Sequence, residues 1–259
     1  STAKPFLYTL AMEQDFTPCS MFSNTQPVFG NWAPRNSSHA RVGEMVDLRW
    51  ALTNSNNWIS ARLMGQLSPT TLVRNMHNFG ITNHIDPVMS LCLGSCEVSI
   101  KEMVGAYTAY ANKGMRAAPV FVTAIADANG NVISEFNTTH TEVISEKAYA
   151  KILSMLLNVV DGGTGNRVRR APYNITAQMG GKTGTTNYNA DGWFMGFTPE
   201  LVSGVWVGGD ERYIHFNTMA HGQGAAMALP IYGLYMSKVY ADPTLPYSQQ
   251  SVFDVDFSN

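Results

Sequence analysis

The order of its segments predicts that this chain is an α/β (α+β) protein in which an antiparallel sheet is packed by helices. Helical patterns dominate the middle of the chain, up to about Val160. Three strand-like runs then follow, Ala177 to Thr186, Trp193 to Phe197 and Leu201 to Val207, and a last helix closes the chain. Hydrophobic residues make up 45% of the 259 and charged residues 14%, a globular balance in a chain long enough to bury a sizeable core.

Each element has a local reason. Ser1 to Met12 reads as a helix with Pro5 near its first turn, where a missing N–H is best tolerated. Gln14 to Ala40, rich in Pro, Asn, Ser and Gly, reads as an irregular excursion. From Gly43 to Leu67, the apolar residues Met45, Leu48, Leu52, Ile59 and Leu63 predict two helices joined near Asn54 to Asn57. Ser68-Pro69 opens a helix that stops at Gly80, with cap, first-turn proline and terminal glycine in their expected places. Ser99 to Lys113, closed by Gly114, repeats that pattern. Pro119 to Asp127 and Val132 to Phe136 flank Asn129-Gly130, a hairpin turn in the making. Ser145 caps a helix to about Val160, and the closing helix covers roughly Ala225 to Tyr240.

Composition excludes some functions. A net charge of -2 and the lack of a Lys/Arg-rich stripe give no electrostatic case for binding nucleic acid. No stretch approaches the ~18 uninterrupted apolar residues of a membrane span. The longest, Met227 to Met236, is interrupted by Pro230 and Gly233. Three cysteines make no disulfide framework: Cys92 and Cys96 could pair in an oxidising compartment, leaving Cys19 over, but buried thiols acting as small hydrophobes are the favoured reading. The six histidines show no metal-ligand spacing.

Three short motifs carry chemistry. In Ser1-Thr2-Ala3-Lys4, a helix would place the Ser1 hydroxyl and the Lys4 ammonium on one face. A serine is a poor nucleophile until a base takes its proton, and a desolvated lysine can be neutral enough to do so. The pattern alone is weak, since Ser-x-x-Lys arises about once by chance in a chain this long, so an ordinary helix start is the better reading of it by itself. Lys182-Thr183-Gly184-Thr185 is more specific, with a chance match in well under ~1% of such chains. In a strand, Lys182 and Gly184 share one face and Thr183 and Thr185 the other, and the glycine marks close approach of a ligand or another backbone. The bland alternative is an edge strand with a surface lysine. Ser55-Asn56-Asn57 falls between two helices, and its value lies in its place between the other two motifs.

Ser-x-x-Lys, Ser-x-Asn and Lys-Thr-Gly in this order form the set found in penicillin-binding proteins and class A β-lactamases. The chain resembles more specifically the transpeptidase domain of class A penicillin-binding proteins, the bifunctional peptidoglycan synthases. Ser1 to Phe6 resembles that family's nucleophile helix, and Trp32-Ala33-Pro34-Arg35-Asn36 its Trp-x-Pro-x-Asn stretch. Leu48 to Leu52 leads into Ser55 as in the family. Gly180 to Thr186, Trp193 to Pro199 and Val205 to Gly208 are similar to its successive strands. The likeness runs from Ser1 to about Tyr240.

The resemblance implies a penicillin-binding-protein/serine β-lactamase-like transpeptidase fold, with residues 1–259 as one D,D-transpeptidase domain. It implies that Ser1 attacks the penultimate D-alanyl carbonyl of a peptidoglycan stem peptide and that Lys4 accepts its proton. Ser55 relays that proton to the departing D-alanine, Lys182 tunes the relay, and Asn57 holds Lys4 and a substrate amide. Thr183 and Thr185, on either side of Gly184, grip the carboxylate of the substrate or of a β-lactam. Backbone N–H groups of Ser1 and Thr185 form the oxyanion hole. No metal or organic cofactor is needed, and the protein works on the outer face of the bacterial cytoplasmic membrane. In that family strands and a glycine precede the nucleophile. The expectation is therefore that this chain is a piece of a longer protein, whose upstream segment carries two strands of a five-stranded sheet, a glycosyltransferase domain and a membrane anchor.

Rival readings remain at this point. An N-terminal nucleophile hydrolase would use the Ser1 amine as base but explains neither Lys4 nor Lys182 to Thr185. A β-lactamase would need a deacylating glutamate, and no Glu-x-x-Leu-Asn segment is present. A D,D-carboxypeptidase shares the acyl-enzyme, and a non-catalytic β-lactam sensor could keep all three motifs.

Overall fold

The structure is a computed structural model that describes residues 1–258. Its first helix, α1 (Lys4–Glu13), is buried from Lys4 to Met12. A helix without a solvent face belongs in the middle of a molecule, and α1 packs against four helices: α2 (Leu48–Thr53), α3 (Asn57–Leu67), α4 (Pro69–Asn78) and α6 (Glu146–Gly162). Before α2, the short strands β1 (Met21–Ser23) and β2 (Met45–Asp47) pair antiparallel. Between α4 and α6 lie a 3-10 turn (Met89–Leu93), α5 (Ile100–Ala111) and the strands β3 (Met115–Ala117), β4 (Ala124–Ala126), β5 (Val132–Glu135) and β6 (His140–Glu142).

Most predicted ends hold. Ser68 caps α4, with its side chain accepting from the Thr71 N–H and Pro69 in the first turn, and Gly80 follows with φ 89°. Ser99 and Glu102 form a reciprocal capping box on α5, which satisfies two otherwise orphaned N–H groups. Ser145 caps α6. The Asn129-Gly130 turn joins β4 to β5, with Gly130 at φ 86°.

Three expectations need correction. Gln14 to Ala40 is not wholly irregular, because β1 lies inside it. Met45 belongs to β2 and not to a helix. Strands of three residues are too short for alternation to reveal them. The closing helix is broken into α8 (Gly224–Met227) and α9 (Leu229–Ala241), after the short turn α7 (Met219–Gly222). Pro230 sits in the first turn of α9, the place a helix tolerates the lost N–H, so the helix restarts there.

The sheet has the order β7 (Gly180–Thr185), β8 (Asp191–Phe197), β9 (Val202–Gly208), all antiparallel, among the described residues. The central strand shows how sequence fixes its two faces. Trp193, Met195 and Phe197 join the core built around α1 and α5. Phe194 joins a second core with α9, while Gly192 and Gly196 leave room on that face for Met227 and the Tyr232 ring. A side chain at Gly196 would overlap that ring. No helix among the described residues is long and apolar enough to cross a membrane.

An aromatic cluster of Phe6, Phe79, Tyr107, Tyr110 and Phe197 locks α1 to α4, α5 and the sheet. Tyr107 also donates its hydroxyl to the Thr2 carbonyl at 2.7 Å, which ties the start of α1 to α5. Tyr107→Phe should cost about 1–2 kcal/mol in urea denaturation, because the buried carbonyl loses its donor. No change in midpoint would show that the carbonyl finds another partner.

Candidate active site

Ser1 and Lys4 lie one turn apart, the Lys4 N–H donating to the Ser1 carbonyl at 3.1 Å. The Lys4 side chain runs inward and is fully buried. Its Nζ donates to Ser55 O at 2.7 Å, Ser55 Oγ at 3.0 Å and Asn57 Oδ1 at 2.7 Å. Ser55 stands in the turn between α2 and α3 at φ 52°, a left-handed conformation uncommon for a residue with a Cβ. The turn is held by Ser55 N–H to Leu52 O at 3.1 Å and Asn56 N–H to Ala51 O at 2.8 Å. This conformation aims both polar oxygens of Ser55 at Lys4.

Lys182 reaches the same hydroxyl from β7, with Nζ 2.8 Å from Ser55 Oγ and 2.9 Å from Thr183 O. Lys182 and Gly184 do share the face toward α1: a side chain at Gly184 would come within 3.1 Å of the Thr2 methyl. The absence of that side chain eases the close approach of the strand to the residues that lead into α1. Both ammonium groups are out of water. Burial lowers the Lys4 pKa to about 7, opposed weakly by Cys92. Burial first and the Lys4 charge second push Lys182 well below its usual value. Two adjacent buried lysines favour a state in which one is neutral. Ser55 Oγ, accepting from both, still has its own hydrogen to donate.

The opposite face of β7 carries the two threonines. Thr185 accepts the Gly224 N–H at 2.9 Å. Thr183, only 7% exposed, shares a hydrogen bond with the Thr164 hydroxyl at 2.8 Å. A cavity of about 1190 Å³ is lined by Ser1, Asn57, Gly184 and Thr185 together with Trp193, Trp206, Tyr188 and Arg212. Lys4, Lys182 and Thr183 are buried near these residues in sequence and do not themselves line the cavity.

Sequence reasoning gave no structural role to the residues that hold Asn57. Asn36 Oδ1 accepts the Asn57 N–H at 2.7 Å, the Arg35 carbonyl accepts Asn57 Nδ2–H at 2.6 Å, and the Pro34 carbonyl accepts the Trp58 indole at 3.0 Å. With Oδ1 facing Lys4 and Nδ2 facing Arg35 O, the Asn57 amide is fixed in one orientation. Asn56 caps α3 and donates to the buried Asn24, whose own amide donates to Ala40 O and Arg41 O. The segment read as an excursion is the cradle of the Ser55 turn. The Trp32, Pro34 and Asn36 spacing was its only sequence signal. Cys19, Cys92 and Cys96 are all free thiols. Burial raises the Cys92 thiol to about 12, so it is neutral at physiological pH.

A hydroxyl at the mouth of a cavity, backed by two desolvated amines that share a second hydroxyl, is equipped for acyl transfer. Comparison with known proteins agrees. The family model for the penicillin binding protein transpeptidase domain matches residues 1–210. Penicillin-binding protein 1A of Rickettsia conorii is 32% identical over 277 residues, covering 95% of this chain and 34% of that protein. Penicillin-binding protein 2D of Bacillus subtilis is 34% identical over 222 residues, covering 82% of this chain and 32% of that protein. The chain thus spans about a third of the length of these relatives. Among solved structures, penicillin-binding protein 1A from Haemophilus influenzae superposes with a TM-score of 0.83 at 23% identity, covering 96% of this chain and 43% of that one. The PonA1 protein from Mycobacterium tuberculosis in complex with penicillin V gives 0.82 at 22% identity, covering 96% and 70%. The motifs, the fold and the family match converge on one conclusion: this chain belongs to the penicillin-binding protein transpeptidase domain family.

Proposed function

We propose that this protein is a serine D,D-transpeptidase that cross-links peptidoglycan stem peptides on the outer face of the bacterial cytoplasmic membrane, and that β-lactams inhibit it covalently. The observation that carries this reading is the Ser55 hydroxyl held at 3.0 Å by Lys4, which lies one helical turn from Ser1, and at 2.8 Å by Lys182. Lys4 in its neutral form takes the Ser1 proton as Oγ attacks the D-alanyl carbonyl. The proton passes through Ser55 to the nitrogen of the terminal D-alanine as the C–N bond breaks, which leaves an ester on Ser1. An amine of a second stem then attacks the ester, and its proton returns along the same path while Ser1 is regenerated. Backbone N–H groups of Ser1 and Thr185 stabilise the oxyanion. Thr185 holds the ligand carboxylate. Thr183 adds a second hydroxyl when Thr164 takes the donor role in their contact. Asn57 keeps Lys4 in place and offers its remaining amide hydrogen to the peptide.

The test is a mass measurement. The full-length protein, incubated with a fluorescent penicillin and fragmented, should carry one adduct on Ser1. An adduct on Ser55, or none on folded protein, overturns the assignment.

A further inference from the structure

Gly224 has no place in the chemistry above, yet its backbone reaches into the site. Its N–H donates to Thr185 Oγ1 at 2.9 Å. A side chain there is sterically barred: a Cβ would overlap the Gly184 carbonyl oxygen and lie 2.5 Å from that of Trp193. Gly184 and Trp193 are directly paired across β7 and β8, so neither oxygen can yield without opening the ladder. Only glycine brings an N–H to this point. The segment is also anchored from outside, since Arg167 donates to the Ala225 carbonyl at 3.2 Å and Met227 packs where Gly192 leaves room.

The consequence for Thr185 follows from hydroxyl chemistry. The group has one hydrogen and two lone pairs. An N–H bound to one lone pair stops the rotor and leaves the hydrogen to be donated elsewhere. Thr185 lines the cavity together with Ser1. We infer that Gly224 is a positioning residue, whose N–H orients the Thr185 hydroxyl so that its hydrogen faces the carboxylate of the donor peptide or β-lactam. This rests on the transpeptidase reading and assigns a cause to one part of it.

The experiment compares acylation of the full-length protein by a penicillin and by the same penicillin with its carboxylate masked as the methyl ester. An amide-to-ester replacement at Gly224, made by incorporating glycolic acid, removes the N–H without adding an atom. It should slow the free acid about tenfold, the order expected for one lost hydrogen bond to a charged group, and leave the methyl ester unchanged. Thr185→Val should slow the free acid more than the methyl ester, Thr185→Ser should recover part of that loss, and the Gly224 replacement on top of Thr185→Val should add nothing. Equal slowing of acid and ester, or independent losses from Gly224 and Thr185, overturns the inference while the transpeptidase reading stands. A wild-type protein that is not acylated at Ser1 overturns both.

Discussion

Lys4→Ala should slow acylation of Ser1 by about three orders of magnitude, within the range that a positioned general base contributes. In the wild type the rate should climb with pH through about 7, where Lys4 loses its proton, and level off above. That step should vanish from the variant. Lys4→Arg separates the base from its charge: a guanidinium stays protonated at every accessible pH, so it keeps the cation and loses the base. It should be as slow as alanine. Time courses with a fluorescent penicillin between pH 5.5 and about 9 provide the measurement, a range chosen to bracket the neutral step. A Lys4→Ala protein that keeps both its rate and its pH step would show that another amine is the base.

Lys182→Met should separate function from stability in opposite directions. Methionine has a similar length and no charge, so the folded protein is relieved of a buried ammonium that is costly to desolvate. The melting temperature should hold or rise. Acylation should fall by about a hundredfold or more, because Ser55 Oγ loses one of the two groups that set its polarity. The wild type should reveal the same cost through pH. Lys4 and Lys182 both have folded pKa values below the ordinary lysine value, so the unfolded chain binds more protons, and stability rises as pH increases from about 7 towards the ordinary lysine range. Beyond about pH 10 the trend reverses, because burial raises Tyr8, Tyr110 and Tyr232 and the unfolded tyrosines ionise first. Lys182→Met should flatten the rising part. A variant that melts lower and acylates normally would contradict both halves of the argument.

What could be read from the sequence was whatever rests on a side chain's own preference. The caps Ser68, Ser99 and Ser145, the glycines at 80 and 130 and the alternation in β7 all belong to that class. So does the joint appearance of Ser1, Lys4, Ser55, Asn57 and Lys182, whose residue types are dictated by their chemistry. What escaped rests on the backbone. The Arg35 and Pro34 carbonyls that brace Asn57 and Trp58, and the Gly224 N–H on Thr185, are groups every residue possesses, so no residue type announces them. The left-handed Ser55 is similar, since the groups it meets there stand 51 and 127 residues away in the chain.

The helix that carries the nucleophile has no side facing water, and this constrains how the protein can change over time. A substitution along α1 alters packing and chemistry together, so its residues are bound to drift slowly and in concert. Tyr188 and Arg212, which line the cavity, are by contrast exposed. Under the proposed function, adaptation to a different stem peptide or to a new antibiotic is therefore open mainly at those exposed positions, where a mutation can test a new contact without putting the fold at stake.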